Sequence, residues 1–283
     1  MGIVFWWRRF LKHGIDRQAP VRSLLRAPRW IAACTLGIPQ IAHFDTGGLK
    51  MRLAARLRNF GSTSIYMKRD RYEPELLAVE RLIASGSVVL DIGGSFGIFS
   101  LFMAHFAGPQ GKVHTFEPGK FSFAQLSDNI AMNEVADRIV LHNAAASDQP
   151  AMLKLFHVGD APVTFSVGGG EGIAAEEVPA VRIADHIPAE DAARVSFIKI
   201  DVEGYEIAAL EGARPILEAR HPAIMFEVSA DALRRQNQTP ADVFAYLASY
   251  GYSFWLLQGD RFVPQGEPCE GNIFAAAHDI SAA

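Results

Sequence analysis

The stretch VVLDIGGSFGIFS, residues 88–100, decides how the rest of the chain is read. Val88, Val89 and Leu90 run into Asp91, followed by Gly93, Gly94, Ser95 and Gly97, and then by Ile98, Phe99, Leu101, Phe102 and Met103 at helical spacing. An apolar run of strand length, a glycine cluster and a 3.6-residue period predict buried strand, tight turn and helix in succession. Glycine lacks the Cβ that would hold a ligand off, and the first N–H groups of a helix have no partner within it. The turn is therefore suited to something polar and nucleotide-like. The competing reading is a tight turn that binds nothing.

The spacing narrows the ligand. A dinucleotide turn of the form G-x-G-x-x-G needs glycines where this chain has Ser95 and Ile98, so a nicotinamide-dependent oxidoreductase is disfavoured. An acid at the strand end, Gly93 two residues on and Gly97 four further resembles the first motif of S-adenosylmethionine-dependent methyltransferases, with Ser95 in place of the usual middle glycine. The loop candidates are Asp91, Gly93, Gly94, Ser95, Phe96 and Gly97.

Beyond the loop, strand and helix patterns alternate: strand Lys112 to Phe116, helix Phe121 to Met132, strand Ile139 to Leu141. This alternation predicts a parallel sheet with helices on both faces and ligands at the carboxyl ends of its strands. Glu117 ends the second strand, where a carboxylate can accept hydrogen bonds from two ribose hydroxyls. After the third, Asn143 and Ala144 open a run of small residues with room for a flat adenine ring. From Ala151 to His186 the apolar segments LKLF and VPAVRI, with Gly168 to Gly170 between them, predict an antiparallel excursion that either covers the acceptor or is a surface loop.

The stretch IKIDVEGYEIAALEGA, residues 198–213, sets Asp201, Glu203 and Glu206 close to a strand end. Their mutual repulsion requires a cation: the cofactor's sulfonium, one of Lys199, Arg182 and Arg194, or a divalent metal. Glu227 ends the strand in IMFEV, so Asp201 and Glu227 are expected to face each other across the cleft. The ligand count is short for magnesium, and no metal is assigned. Asp201, Glu203 and Glu227 are the candidates for the base that removes an acceptor's proton, with Glu203 and Glu206 alternatively capping the next helix. Helix 206 to 220, strand Ala223 to Val228, helix Pro240 to Tyr250 and strands Tyr252 to Leu257 and Asn272 to Ala276 complete the pattern.

VVLDIGGSFG, TFEP at 115–118, NAAASD at 143–148, IKIDVEGYEIAALEGA and MFEV at 225–228 occur in the order of the FkbM family of methyltransferases, and DVEGYE is the most distinctive piece. The resemblance covers roughly residues 65 to 277. It implies an α/β fold, the class I Rossmann-like methyltransferase sheet of seven mostly parallel strands. It also implies S-adenosylmethionine as cofactor and methylation of a hydroxyl on a sugar, glycolipid or other natural product. Residues 65–283 are read as this domain and 1–64 as a basic helical extension. A rival reading is a cofactor-binding or membrane-associated protein without turnover.

Composition sets the remaining bounds. The net charge of −4 divides unevenly: residues 1–58 hold eleven Lys and Arg against Asp16 and Asp45, a balance of +9. Within GIVFWWRRFLKHG, a helix over residues 3–12 would set Ile3, Val4, Trp6, Trp7, Phe10 and Leu11 opposite Arg8, Arg9 and Lys12. Such a helix either lies on an anionic membrane surface or packs on protein. The body is acidic and lacks an aromatic and basic face, which disfavours nucleic acid as acceptor. Cys34 and Cys269 have no metal or disulfide spacing, and no apolar run reaches the ~20 residues of a membrane span, so a cytoplasmic protein, peripheral to the inner membrane face at most, is expected. From Ala19 to Gly48 short helices and loops are expected; residues 49–73 are read as a pair of strands, with Tyr66 and Tyr72 either walling a pocket or packing. A helix is expected from Pro74.

Overall fold

The structure is a computed structural model of the 283-residue chain, and it describes residues 19–56, 60–157, 165–167 and 175–283. The helix expected over residues 3–12 and the tip at Gly168 to Gly170 lie outside the described residues. The chain divides into two compact units, one ending at Leu77 and the other spanning Ala78–Ala283.

In the first unit a single helix, α1 (Pro20–Leu36), replaces the short helices and loops expected there. Pro20 in its first turn needs no N–H partner. Ser23, Ala27, Trp30 and Ala33, spaced three or four apart, give the helix one buried side that outweighs the backbone hydrogen bond lost at Pro28 inside it. The strand pair begins earlier than expected, as the hairpin β1 (Gln40–His43) and β2 (Lys50–Leu53). It is followed by helix α2 (Phe60–Lys68), so a boundary after residue 64 would fall inside a helix. Trp30 is fully buried, stacks on Tyr66 at 4.5 Å and donates its indole N–H to Thr63 Oγ1 at 3.1 Å. Tyr66 is therefore core, with the Arg69 guanidinium 4.3 Å over its ring, and not a pocket wall. The helix expected from Pro74 is reduced to a turn at Glu75–Ala78 and a 3₁₀ segment at Val79–Leu82.

The second unit is built on β3 (Val88–Ile92), β4 (Lys112–Phe116), β5 (Ile139–His142), β6 (Ala145–Ser147), β7 (Ala151–His157), β8 (Phe165–Val167), β9 (Ala175–Arg182), β10 (Val195–Ile200), β11 (Ala223–Val228), β12 (Ser253–Gln258), β13 (Arg261–Pro264) and β14 (Gly271–Ala276). The main sheet runs β13-β12-β14-β11-β10-β3-β4-β5. β5, β4, β3, β10 and β11 are parallel; β14, β12 and β13 join antiparallel. Eight strands stand where seven were expected, because the chain turns at Gly259 and pairs Arg261–Pro264 back onto β12. Pro264 confines that strand to an edge, since it has no N–H to give a further neighbour.

Successive strands run outward from β3 toward β5 and from β10 toward β11, so the direction of winding reverses between β3 and β10. Right-handed crossovers then put helix α3 (Ile98–Phe106), after β3, and helix α4 (Lys120–Ala131), after β4, on one face. Helix α5 (Glu206–Gly212), after β10, falls on the other. The expected helix 206–220 is broken at Ala213, because Pro215 in the first turn of the following helix, α6 (Arg214–Arg220), cannot donate to the preceding turn. Ile198, Ile200, Phe226 and Ile273 fill the core. β7 pairs antiparallel with β8 and with β9, as expected of the excursion, and β6 adds to β9 in parallel, giving a small sheet of order β6-β9-β7-β8.

A buried polar chain crosses one side of the main sheet. Asp191 accepts from Lys112 Nζ at 2.6 Å and lies 2.9 Å from His114 Nε2, while His114 Nδ1 lies 3.0 Å from His142 Nε2. Among the described residues no helix is long and apolar enough to cross a membrane.

Candidate active site

The glycine loop closes the carboxyl end of β3. Gly93 has φ +85°, and a Cβ there would lie 1.9 Å from the Asp201 carbonyl oxygen, so the loop and the end of β10 meet at a distance only glycine permits. The N–H groups of Gly93 and Gly94 both donate to the Phe116 carbonyl, at 2.9 and 3.0 Å. Ser95 is also left-handed, at φ +49°, and its N–H donates to Glu117 Oε2 at 2.8 Å. Gly119 N–H donates to Oε1 of the same carboxyl at 2.8 Å. Each Glu117 oxygen thus keeps a lone pair for a further donor. Burial pushes this carboxyl up to about 7 against the pull of the two N–H groups.

The remaining loop candidates occupy distinct places. Asp91 lies under the loop and has no exposed surface. Ser100 Oγ donates to its Oδ2 at 2.5 Å and Thr115 Oγ1 donates to Ser100 at 3.0 Å, which ties β3 to α3 and β4. Its other oxygen, Oδ1, has no hydrogen-bond partner and sits 3.7 Å from Lys199 Nζ. Burial raises this carboxyl, and Lys199 and Ser100 oppose the rise. Phe96 is buried, and its carbonyl accepts from Asn129 at 2.9 Å. Asn143 is exposed and donates to the carbonyls of Glu117 and Pro118 at 2.9 and 3.1 Å, which links the end of β5 to that of β4. Ala144 is buried beside it.

Across the switch point the acids are held by side chains. Lys199 is buried and donates to the Gly93 carbonyl at 2.9 Å and to Asp201 Oδ2 at 3.3 Å. Ile200 of β10 pairs with Phe226 of β11, so Asp201 and Glu227 follow side by side, and each acts on the other's ionisation. Burial opposes ionisation of Asp201, but Lys199 and the proton on Glu227 outweigh it and hold Asp201 below the usual carboxylate range. The charge on Asp201 holds the carboxyl of the exposed Glu227 well above the usual carboxylate range and favours its protonated form.

Glu203 has φ +53°; burial and Asp201 raise its carboxyl, and Arg235 Nη2, 3.9 Å from Oε2, pulls it back. Glu206 is buried and accepts the Gly204 N–H at 2.9 Å, which fixes the turn that leads into α5. Its Oε2 has no hydrogen-bond partner, and burial pushes the carboxyl up to about 7.

Of the cations expected to offset these acids, Lys199 does so. Arg194 is spent on the carbonyls of Gly86 and Gln110, and Arg182 lies 3.9 Å from Asp185. Arg235 was not singled out in the sequence, because its partner Glu203 lies far from it along the chain. Among the described residues no group of three or more His, Cys, Asp or Glu side chains could hold a metal ion. What the strand ends offer is a glycine turn, a carboxyl held by two N–H donors, and two neighbouring carboxyls beside a buried ammonium.

A family model described as the methyltransferase FkbM domain matches residues 91–254. The chain is 30% identical over 229 residues to the 31-O-demethyl-FK506 methyltransferase FkbM of Streptomyces tacrolimicus, a match that covers 70% of this chain and 80% of the relative. It is 24% identical over 160 residues to the methyltransferase sdnD of Sordaria araneosa, covering 46% of this chain and 61% of that protein. Among solved structures, the methyltransferase FkbM from Methylobacillus flagellatus KT aligns with a TM-score of 0.47 at 17% identity, over 88% of this chain and 58% of that one. The chain thus spans less than two thirds of the last two. With the matched segment running from the acid of the glycine loop to β12, the chain belongs to the FkbM family of methyltransferases, enzymes that use S-adenosylmethionine.

Proposed function

We propose that the chain methylates a hydroxyl group on a small-molecule or glycan acceptor, a sugar, glycolipid or other natural product. The observation that carries this reading is the placing of Asp201 and Glu227 side by side after Ile200 and Phe226 at the ends of the parallel strands, with the buried Lys199 ammonium 3.3 Å from Asp201 Oδ2. Hydroxyl methylation needs a group that can take a proton, and an acceptor oxygen seated on this pair has one within reach. The name of the Streptomyces tacrolimicus relative, which specifies an O-demethyl compound, supports oxygen as the acceptor atom.

The residues fit S-adenosylmethionine. The two free lone pairs of Glu117 would suit paired ribose hydroxyls, Gly93, Gly94, Ser95 and Gly97 with Phe96 form a turn that would admit a close ligand, and Asn143, bonded to the Glu117 carbonyl, would border the adenine with Ala144. Asp91, wholly buried, acts through Ser100 and Lys199 as a positioning residue for the loop. The cofactor supplies the electrophilic methyl group. The chain orients the acceptor: Asp201, kept ionised by Lys199, takes the hydroxyl proton as the oxygen attacks the methyl group, which leaves Asp201 and Glu227 both protonated until one proton passes to water. Glu203, raised by burial and by Asp201, stands beside them as a third carboxyl that can hold a proton. Holding acceptor and donor in line can account for on the order of 7–11 kcal/mol of the barrier.

The test is transfer of labelled methyl from S-adenosylmethionine to a panel of hydroxyl and amine acceptors, with Asp201→Asn in parallel. Label on oxygen that is lost in Asp201→Asn is the expected result. Label on amines alone would end the hydroxyl reading.

A further inference from the structure

Helix α1 has two sides of opposite meaning. Ser23, Ala27, Trp30 and Ala33 are buried, while Val21 (66% exposed), Leu24 (55%), Leu25 (76%) and Leu36 (69%) project from the other side, in line with Pro28 and Ala32. Ile38 (51%) and Ile41 (42%) continue the apolar surface past the helix end. Among the described residues, six of the ten large hydrophobic side chains left exposed fall between positions 21 and 41. Scattered exposed leucines are ordinary; a stripe along five turns of one helix is not.

Charge selects the occupant. Arg22, Arg26 and Arg29 lie along one flank of the stripe, and the exposed face of the β1–β2 hairpin carries His43, Lys50 and Arg52 beside Ile41. Arg22 pairs with the exposed Asp45 at 3.9 Å and Arg26 donates to the Met67 carbonyl at 2.7 Å, so these side chains are anchored beside the stripe. A second copy of the chain docked stripe to stripe would oppose two arginine rows. An apolar stripe bordered by cations matches a bilayer with anionic headgroups. The four Lys and Arg of residues 1–18, which lead directly into this helix, add charge of the same sign.

We propose that α1 is a membrane-docking element, with Val21, Leu24, Leu25 and Leu36 entering the acyl boundary of an anionic phospholipid surface and Arg22 and Arg29 at its headgroups. The test is co-sedimentation of the full chain with phosphatidylcholine vesicles, with or without phosphatidylglycerol. The wild type should pellet only with the phosphatidylglycerol vesicles and be released by salt. Leu24→Glu combined with Leu25→Glu should lower the partition by at least about tenfold, with melting temperature and S-adenosylhomocysteine binding unchanged. A wild type that stays in the supernatant, or a double variant that pellets like it, overturns the proposal. So does a double variant with a lowered melting temperature, which would mean that protein already covers the stripe, or a wild-type dimer that the double variant dissociates without vesicles.

Discussion

On the β3–β4 side of the switch point, Glu117 is held by two backbone N–H groups; on the β10–β11 side, Asp201 is held by the Lys199 ammonium and lies beside a second carboxyl, Glu227. The two regions carry the same kind of charge and answer it differently. Backbone donors are fixed by φ and ψ, cannot titrate, and suit a group that must always present the same face to a ligand. Side-chain partners can change protonation, which suits a group that must gain and lose a proton in each turnover. On the proposed reading, binding and chemistry divide between the two sides, which are joined where Lys199 reaches the Gly93 carbonyl.

Four substitutions break or sharpen that contrast. Asp201→Asn removes the ionised member of the pair. Turnover should fall by about 10²–10⁴-fold while isothermal titration still detects S-adenosylhomocysteine, and an active variant would move the base elsewhere. Gly93→Ala forces a methyl group into the β10 carbonyl and should cost about 3 kcal/mol or more in urea unfolding. A loss under about 1 kcal/mol would mean that the two sides are not rigidly apposed.

Glu117→Ala should weaken cofactor binding by about ten- to a hundredfold, because charged hydrogen bonds are lost without disturbing Asp201. Unchanged affinity would remove the ribose assignment.

The last concerns pH. Glu206 titrates near 4.5 unfolded and about 7 folded, so the stability of its buried protonated form is complete below pH 4.5 and is lost as pH rises through 7. Glu206→Gln keeps the acceptor for Gly204 and should be more stable than the wild type at pH 8 by on the order of 2 kcal/mol. The two should converge below pH 5 in thermal or urea melts. No convergence would mean that the raised proton affinity is not located on Glu206.

What could be read from the sequence follows the same division. The strands Lys112–Phe116, Val195–Ile200 and Ala223–Val228, the glycine turn and the acids at the strand ends were legible, because an apolar run and a glycine spacing are local signals. α1 was not, since Pro28 reads as a break and only the tertiary fit of Trp30 against Tyr66 outweighs it. The edge strand at Arg261–Pro264 was too short and too close to a proline to stand out. Lys199 could be named as one of several cations but not selected, and Arg235 could not be named at all. Selecting between Lys199, Arg182 and Arg194 required knowing which carbonyls and carboxylates each one meets.

The polar chain beneath the sheet bears on how the enzyme is made. His114 lies in β4, but the carboxylate that satisfies it, Asp191, comes seventy-seven residues later, after the whole small sheet. During synthesis β3, β4 and β5 emerge first, with a buried imidazole and Lys112 still waiting for their counter-ion. The β3–β5 half therefore cannot mature alone: its buried His114 is satisfied only when the chain beyond the small sheet has folded back and delivered Asp191.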